Sequence, residues 1–137
     1  MTPTLQYLLL SRDVITDDVS KEVTPVRVFD TIFMGKDETS TVYSFHAVGR
    51  LNLNETGIVT SMINLKLIDP TGKEVRTVTL SGSSIDASIG INVNGIFFLV
   101  PFSTEGRYSI ELSVNMNGGT FVQVTPPLYF WVKKLTA

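Results

Sequence analysis

From Ser103 to Met116 the chain alternates. Tyr108, Ile110, Leu112, Val114 and Met116 take every second position, and Arg107, Ser109, Glu111, Ser113 and Asn115 fill the gaps. A period of two suits a strand with one buried and one wet face, because successive side chains leave a strand on opposite sides. A dense apolar run (Ile96, Phe97, Phe98, Leu99, Val100, Phe102) precedes it, and the tight-turn signal Asn117-Gly118-Gly119 follows. The pattern predicts a core strand that leaves a turn at Glu105-Gly106, runs through the middle of a sheet and reverses at Asn117-Gly118.

The rest of the chain reads in the same terms. Residues 5–10 are nearly continuous in apolar character (Leu5, Tyr7, Leu8, Leu9, Leu10) and predict a buried strand, with a helical turn as the alternative. Residues 14–23, with Asp13, Asp17, Asp18, Lys21 and Glu22 in and beside them, predict a solvated loop. Pro25 then holds Thr24 to extended or turn geometry. Residues 26–34 are rich in β-branched and aromatic side chains and predict the second strand. A polar turn, Gly35-Lys36-Asp37-Glu38, leads to a long strand over residues 41–53, with Gly49 marking a bulge or a close neighbour. Ile63, Leu65 and Leu67 alternate with Asn64 and Lys66. Asp69-Pro70-Thr71-Gly72 has the residues of a type I turn, and residues 74–80 return as the partner strand.

Residues 81–84 predict a flexible Ser/Gly segment. Ile89, Ile91 and Val93 alternate again, and Asn94-Gly95 predicts a turn into Phe97-Phe98. Residues 120–124 and 128–133 predict strands split by Pro126-Pro127, whose missing N–H groups mark an edge, a bulge or a strand changing sheets. This makes about nine strand segments with sandwich-like turn spacing. No window carries an apolar period of 3.6, and no repeat or second domain is visible. The expectation is all-β: a single antiparallel β-sandwich, immunoglobulin-like or C2-like, formed by residues 1–137 as one domain.

Composition narrows the function classes. A 137-residue chain is long enough to bury roughly 68% of the surface its unfolded form exposes, so it needs no covalent staple. It has no cysteine, which excludes a disulfide scaffold, a thiol nucleophile and a Cys-ligated zinc site, and fits a cytoplasmic location. Net charge is −2 without a basic patch, so nucleic acid is not an expected partner. The longest apolar runs fall far short of a roughly 20-residue membrane span, and the N-terminus lacks a basic region of the kind that opens a signal peptide. Asn54-Glu55-Thr56 matches a glycosylation sequon, read as chance without a secretion signal. Only 18% of residues are charged, and mean hydropathy is +0.22. So apolar a small domain either covers its strands on both faces or offers apolar surface to a partner.

Candidate chemistry is sparse. His46 is the only histidine; no G-x-S-x-G elbow accompanies it, and a polar-face strand position explains it, so no catalytic residue is assigned. Asp13, Asp17 and Asp18 cluster in one loop, as calcium-binding loops of membrane-docking sandwiches do, but the D-x-[DN]-x-[DN]-G pattern is absent. Asp69 has a turn to serve, and no phosphate loop or cofactor motif exists, so no cofactor is expected. Tyr7, Tyr43, Tyr129 and Trp131 are candidates for a carbohydrate platform. Tyr129 and Trp131 share one parity of the last strand and Phe130 and Val132 the other, so the strand reads as covered on both sides and Trp131 as core. The alternative is that Trp131, with Tyr129, anchors a partner. Gly106 in a turn, with Tyr108 two positions on, resembles the tyrosine corner of sandwich domains, in which a buried Tyr bonds its hydroxyl to backbone.

Tyr7-Leu8-Leu9-Leu10-Ser11-Arg12-Asp13 is followed by Val28-Phe29-Asp30-Thr31-Ile32, by the hairpin Leu67-Ile68-Asp69-Pro70-Thr71-Gly72, and by the closing Gly106-Arg107-Tyr108 strand with the Asn117-Gly118 turn. This order of features resembles a family of small bacterial β-sandwich proteins of unknown function. It implies a β-sandwich over nearly the whole chain and carries no active site. The expected function is that of a non-enzymatic interaction or adaptor module, binding a protein partner or itself. A carbohydrate module, or a calcium- and lipid-binding one, is the alternative.

Overall fold

The computed structural model describes residues 2–20, 22–82 and 84–136. Among them the chain forms eleven strands and no helix. These are β1 (Thr4–Thr16), β2 (Val23–Phe29), β3 (Thr31–Met34), β4 (Thr41–Asn52), β5 (Ile58–Val59), β6 (Ser61–Ile68), β7 (Glu74–Ser81), β8 (Ile85–Asp86), β9 (Ile91–Phe102), β10 (Gly106–Met116) and β11 (Val122–Lys134). One sheet has the order β2-β1-β4-β9, a second β3-β11-β10-β6-β7, and β5 and β8 form a small pair of their own. The described residues contain no helix long and apolar enough to cross a membrane.

β10 is the middle strand of the five-stranded sheet, between β11 and β6. Its alternating residues Tyr108, Ile110, Leu112 and Val114 are buried. They meet Phe45, Phe97 and Phe102 from the other sheet in a single apolar cluster. Phe45 stacks on Phe97 with centroids 5.0 Å apart and meets Phe130 edge-on at 6.0 Å. Burial of each such side chain contributes roughly 1.5–3 kcal/mol, so this cluster dominates what holds the sheets together.

Two turns have the predicted chemistry. In the β6–β7 hairpin, Gly72 N–H donates to Asp69 C=O at 3.0 Å, and Gly72 has φ 91°. The Asp69 carboxylate accepts from Thr71 N–H, Thr71 Oγ1 and Lys73 N–H. After β10, Asn117 and Gly118 have φ 54° and 74°. Gly119 N–H donates to Met116 C=O there, the two positive φ values fitting a type I′ turn. Gly49 of β4 is a close-approach site: a Cβ there would lie 2.4 Å from Tyr7 C=O, beside the register shift between Leu5 and Tyr7 in β1.

Several expectations are corrected. Two of the eleven strands, β5 and β8, are two residues long, and the sequence pattern does not single them out. The sheets are not purely antiparallel, because β3 pairs in parallel with β11, Trp131 beside Thr31 and Lys134 beside Met34. Residues 26–34 are not one strand. β2 pairs with β1 in one sheet, the chain bends at Asp30, and β3 joins the other sheet. The loop over residues 14–23 shrinks to a turn near Asp17, because β1 runs on to Thr16 and pairs it with Val23. Lys21 of that loop, and Ser83 of the expected Ser/Gly segment, lie outside the described residues. Asn94-Gly95 is no turn but the interior of β9. Gly95 faces the core, where a Cβ would meet Leu65 Cδ1 at 2.3 Å. β11 runs through Pro126-Pro127 as one strand, with the extra residues absorbed by a register shift opposite Ile110 and Leu112.

Candidate functional site

The period of two along β11 sends Phe130 and Val132 inward, each 1% exposed, and leaves Tyr129, Trp131 and Lys133 outward. This outer face is half open to water: Trp131 is 45% exposed and Tyr129 46%. The reading of Trp131 as core is thereby corrected. A strand with apolar residues on both parities reads as covered on both faces, but only one face of β11 is covered. On the neighbouring β3, Ile32 and Met34 go inward and Phe33, 58% exposed, goes outward beside Lys133. From β10, Arg107 stands opposite Trp131.

Two cations lie over these rings. The Arg107 guanidinium is 4.2 Å from the centroid of Tyr129, and Lys133 Nζ is 5.6 Å from that of Trp131. Each such contact contributes roughly 0.5–1 kcal/mol at an exposed position. Neither cation belongs to an ion pair among the described residues, where the pairs are Arg27 with Asp13 and Lys66 with Glu74. Glu105 holds the end of the strip in place by accepting from Lys134 N–H at 2.6 Å. The result is an aromatic strip with a cationic fringe. Phe33, Arg107 and Lys133 escape a search for aromatic pairs on one strand. The signal that finds them is parity, since Lys133 shares Trp131's face.

Beside the strip the two sheets part. β2 pairs with β1 only from Leu10 onward, and β3 with β11 only from Trp131 onward. The opening holds a cleft of about 340 Å³ between Leu9, Leu10, Val28, Phe29, Asp30, Leu128, Tyr129 and Phe130. A second, of about 360 Å³, shares Leu128 and runs along residues 5–8 and Pro126-Pro127. Among the described residues, Asp30 is the one charged residue lining the first.

The other candidates go elsewhere. Tyr43 lies in the other sheet, edge-on to Phe29 at 5.5 Å and under Arg12. Tyr7 lines the second cleft, so the four candidate platform residues do not converge. His46 Nδ1 lies 2.9 Å from Asn94 Oδ1, and its hydrogen-bond partner is thus an amide rather than a carboxylate. Asp13 pairs with Arg27. Asp17 accepts from Val19 and Ser20 N–H, both at 2.8 Å, and the Ser20 bond leads in lowering its pKa. Asp18 is exposed in that turn. No group of three or more His, Asp or Glu residues is placed to hold a metal ion among the described residues.

Gly106 and Tyr108 have structural positions. Gly106 has φ 135°, and a Cβ there would lie 2.8 Å from Pro70 Cγ, so the start of β10 is seated on the β6–β7 turn. Tyr108 is 2% exposed, its ring stacks on Phe130 at 5.5 Å, and its hydroxyl donates to Thr104 C=O at 2.8 Å. Burial raises its pKa, the hydrogen bond to Thr104 opposes that rise, and the charge of Asp69 adds to it. No family model matches the chain, and no curated protein matches it.

Proposed function

We propose that this chain is a non-enzymatic protein-interaction module, self-associating, built on an immunoglobulin-like β-sandwich. The chain's passage from β2 into β3, which runs parallel to the last strand, supports the sandwich reading, as does the Tyr108 corner. The resemblance to small bacterial sandwich proteins of unknown function belongs to the same reading.

The observation that carries the function is the exposed strip of Phe33, Tyr129 and Trp131 fringed by Arg107 and Lys133. Trp, Tyr and Arg are the residues on which binding energy concentrates at protein interfaces. A carbohydrate platform needs open ring faces, and here Arg107 and Lys133 stand over them. That favours a protein partner over a sugar.

Affinity capture from native lysate with the wild-type chain and with Tyr129→Ala/Trp131→Ala tests it. Wild type is expected to retain a stoichiometric protein, or a second copy of itself, that the double variant loses while keeping the wild-type circular dichroism. Identical recoveries from the two would defeat the assignment of the strip.

A further inference from the structure

The four-stranded sheet ends at β2 and β9 and the five-stranded sheet at β3 and β7. An edge strand presents unpaired N–H and C=O groups, and chains blunt such edges with short strands, charges, prolines and bulges. β2 carries Pro25, and at Arg27 a φ of 58° interrupts its extended backbone. β3 has only four residues, and β7 carries Glu74 and Arg76 in its first three, leaving a shorter uncharged stretch at residues 77–81. The unpaired stretch of β1 contains the register shift between Leu5 and Tyr7, and that of β11 contains Pro126-Pro127. The second half of β9 is blunted too. It has a register shift with Leu99 at φ 49°, it has Pro101, and Arg76 donates to Phe98 C=O. Residues 91–97 of β9 have no charge, no proline and no register shift.

We propose that two copies of this chain pair antiparallel through residues 91–97 of β9, joining their four-stranded sheets edge to edge about a two-fold axis at Asn94. The inference rests on the self-association proposed above and gives it a surface separate from the aromatic strip. Beyond this stretch the edge is closed, because Phe98 C=O is taken by Arg76 from β7; within it, alternate residues turn their N–H and C=O groups away from β4. A two-fold interface sets each residue against the one equally far from the axis. An uncharged edge meets its own copy without like-charge conflict. The pairing brings Ile96 of one copy beside Asn92 of the other, covering an apolar side chain that the single chain leaves more than half exposed.

Sedimentation equilibrium on wild type and Ile96→Lys is the test, with Asn92→Lys as the second variant should Ile96→Lys fail to fold. Wild type is expected at twice the chain mass of 15.1 kDa. The lysine variant is expected at the single-chain mass, with the circular dichroism of the folded chain. Amide exchange at the alternate residues of 91–97 that face away from β4 is expected to be slow in wild type and fast in the variant. A dimer that survives the lysine, with those amides exchanging freely, overturns the β9 interface. If Trp131→Ala then abolishes that dimer, self-association stands and belongs to the strip. A monomeric wild type that still captures a partner through the strip overturns the dimer and leaves the interaction reading intact. A monomer that captures nothing overturns both.

Discussion

Tyr108 binds its strand to the turn before it with one hydrogen bond. The ring lies among Phe102 and Phe130, and the hydroxyl reaches Thr104 C=O four residues back. Tyr108→Phe keeps the packing and removes the bond, so it is expected to cost about 1 kcal/mol. A lower urea midpoint at unchanged slope checks this, and a wild-type midpoint would contradict it. This corner is legible in the sequence because its parts are local: a glycine, then a tyrosine two positions on, at the head of an alternating strand. Trp131 is not legible in the same way. Its exposure depends on whether another layer covers the outer face of β11, and no residue near it in sequence encodes that.

At the level of elements, β10 and the β6–β7 hairpin can be read directly, because alternation and Asp-Pro-Thr-Gly are local signals. The division of residues 26–34 cannot. Val26 to Phe29 and Thr31 to Phe33 have the same strand-forming composition, and only tertiary pairing sends them to different sheets. Asn94-Gly95 misleads for a related reason. Glycine serves both tight turns and close packing, and here the packing decides, since Gly95 leaves room for the fully buried Leu65. Gly95→Ala is therefore expected to destabilise by roughly 1–3 kcal/mol through overpacking. Combined with Leu65→Ala it should cost less than the two single changes together, because the second opens the space the first fills. Chemical unfolding of the four proteins in that cycle checks it, and strict additivity would mean that the two residues do not share the space.

Across the whole molecule, hydrogen bonds in exposed turns and one buried phenol set the pH range of stability. Asp17, Asp69 and Asp86 each cap a turn, and each has its pKa lowered below the ordinary 3.8. The leading causes are the Ser20 backbone for Asp17, the Thr71 side chain for Asp69 and the Ser88 side chain for Asp86. A carboxyl whose folded pKa is depressed binds its proton more readily when unfolded. Its contribution is present above the ordinary pKa and is lost as pH falls through that value to the lower folded one. Tyr108 works in the opposite sense. Burial raises its pKa above the ordinary 10.0. Its contribution is therefore full below that value and lost as pH rises from there through the folded pKa. The urea midpoint is expected to be level through neutral pH and to decline at both ends. Asp69→Asn should flatten part of the acid decline; Tyr108→Phe should remove the alkaline decline and leave the acid one. The two effects are coupled electrostatically, because the negative charge of Asp69 adds to the rise at Tyr108. With Asp69→Asn the alkaline decline should still begin at the ordinary value but be slightly shallower and end at lower pH. An alkaline decline of unchanged depth would show that burial alone holds the phenol neutral.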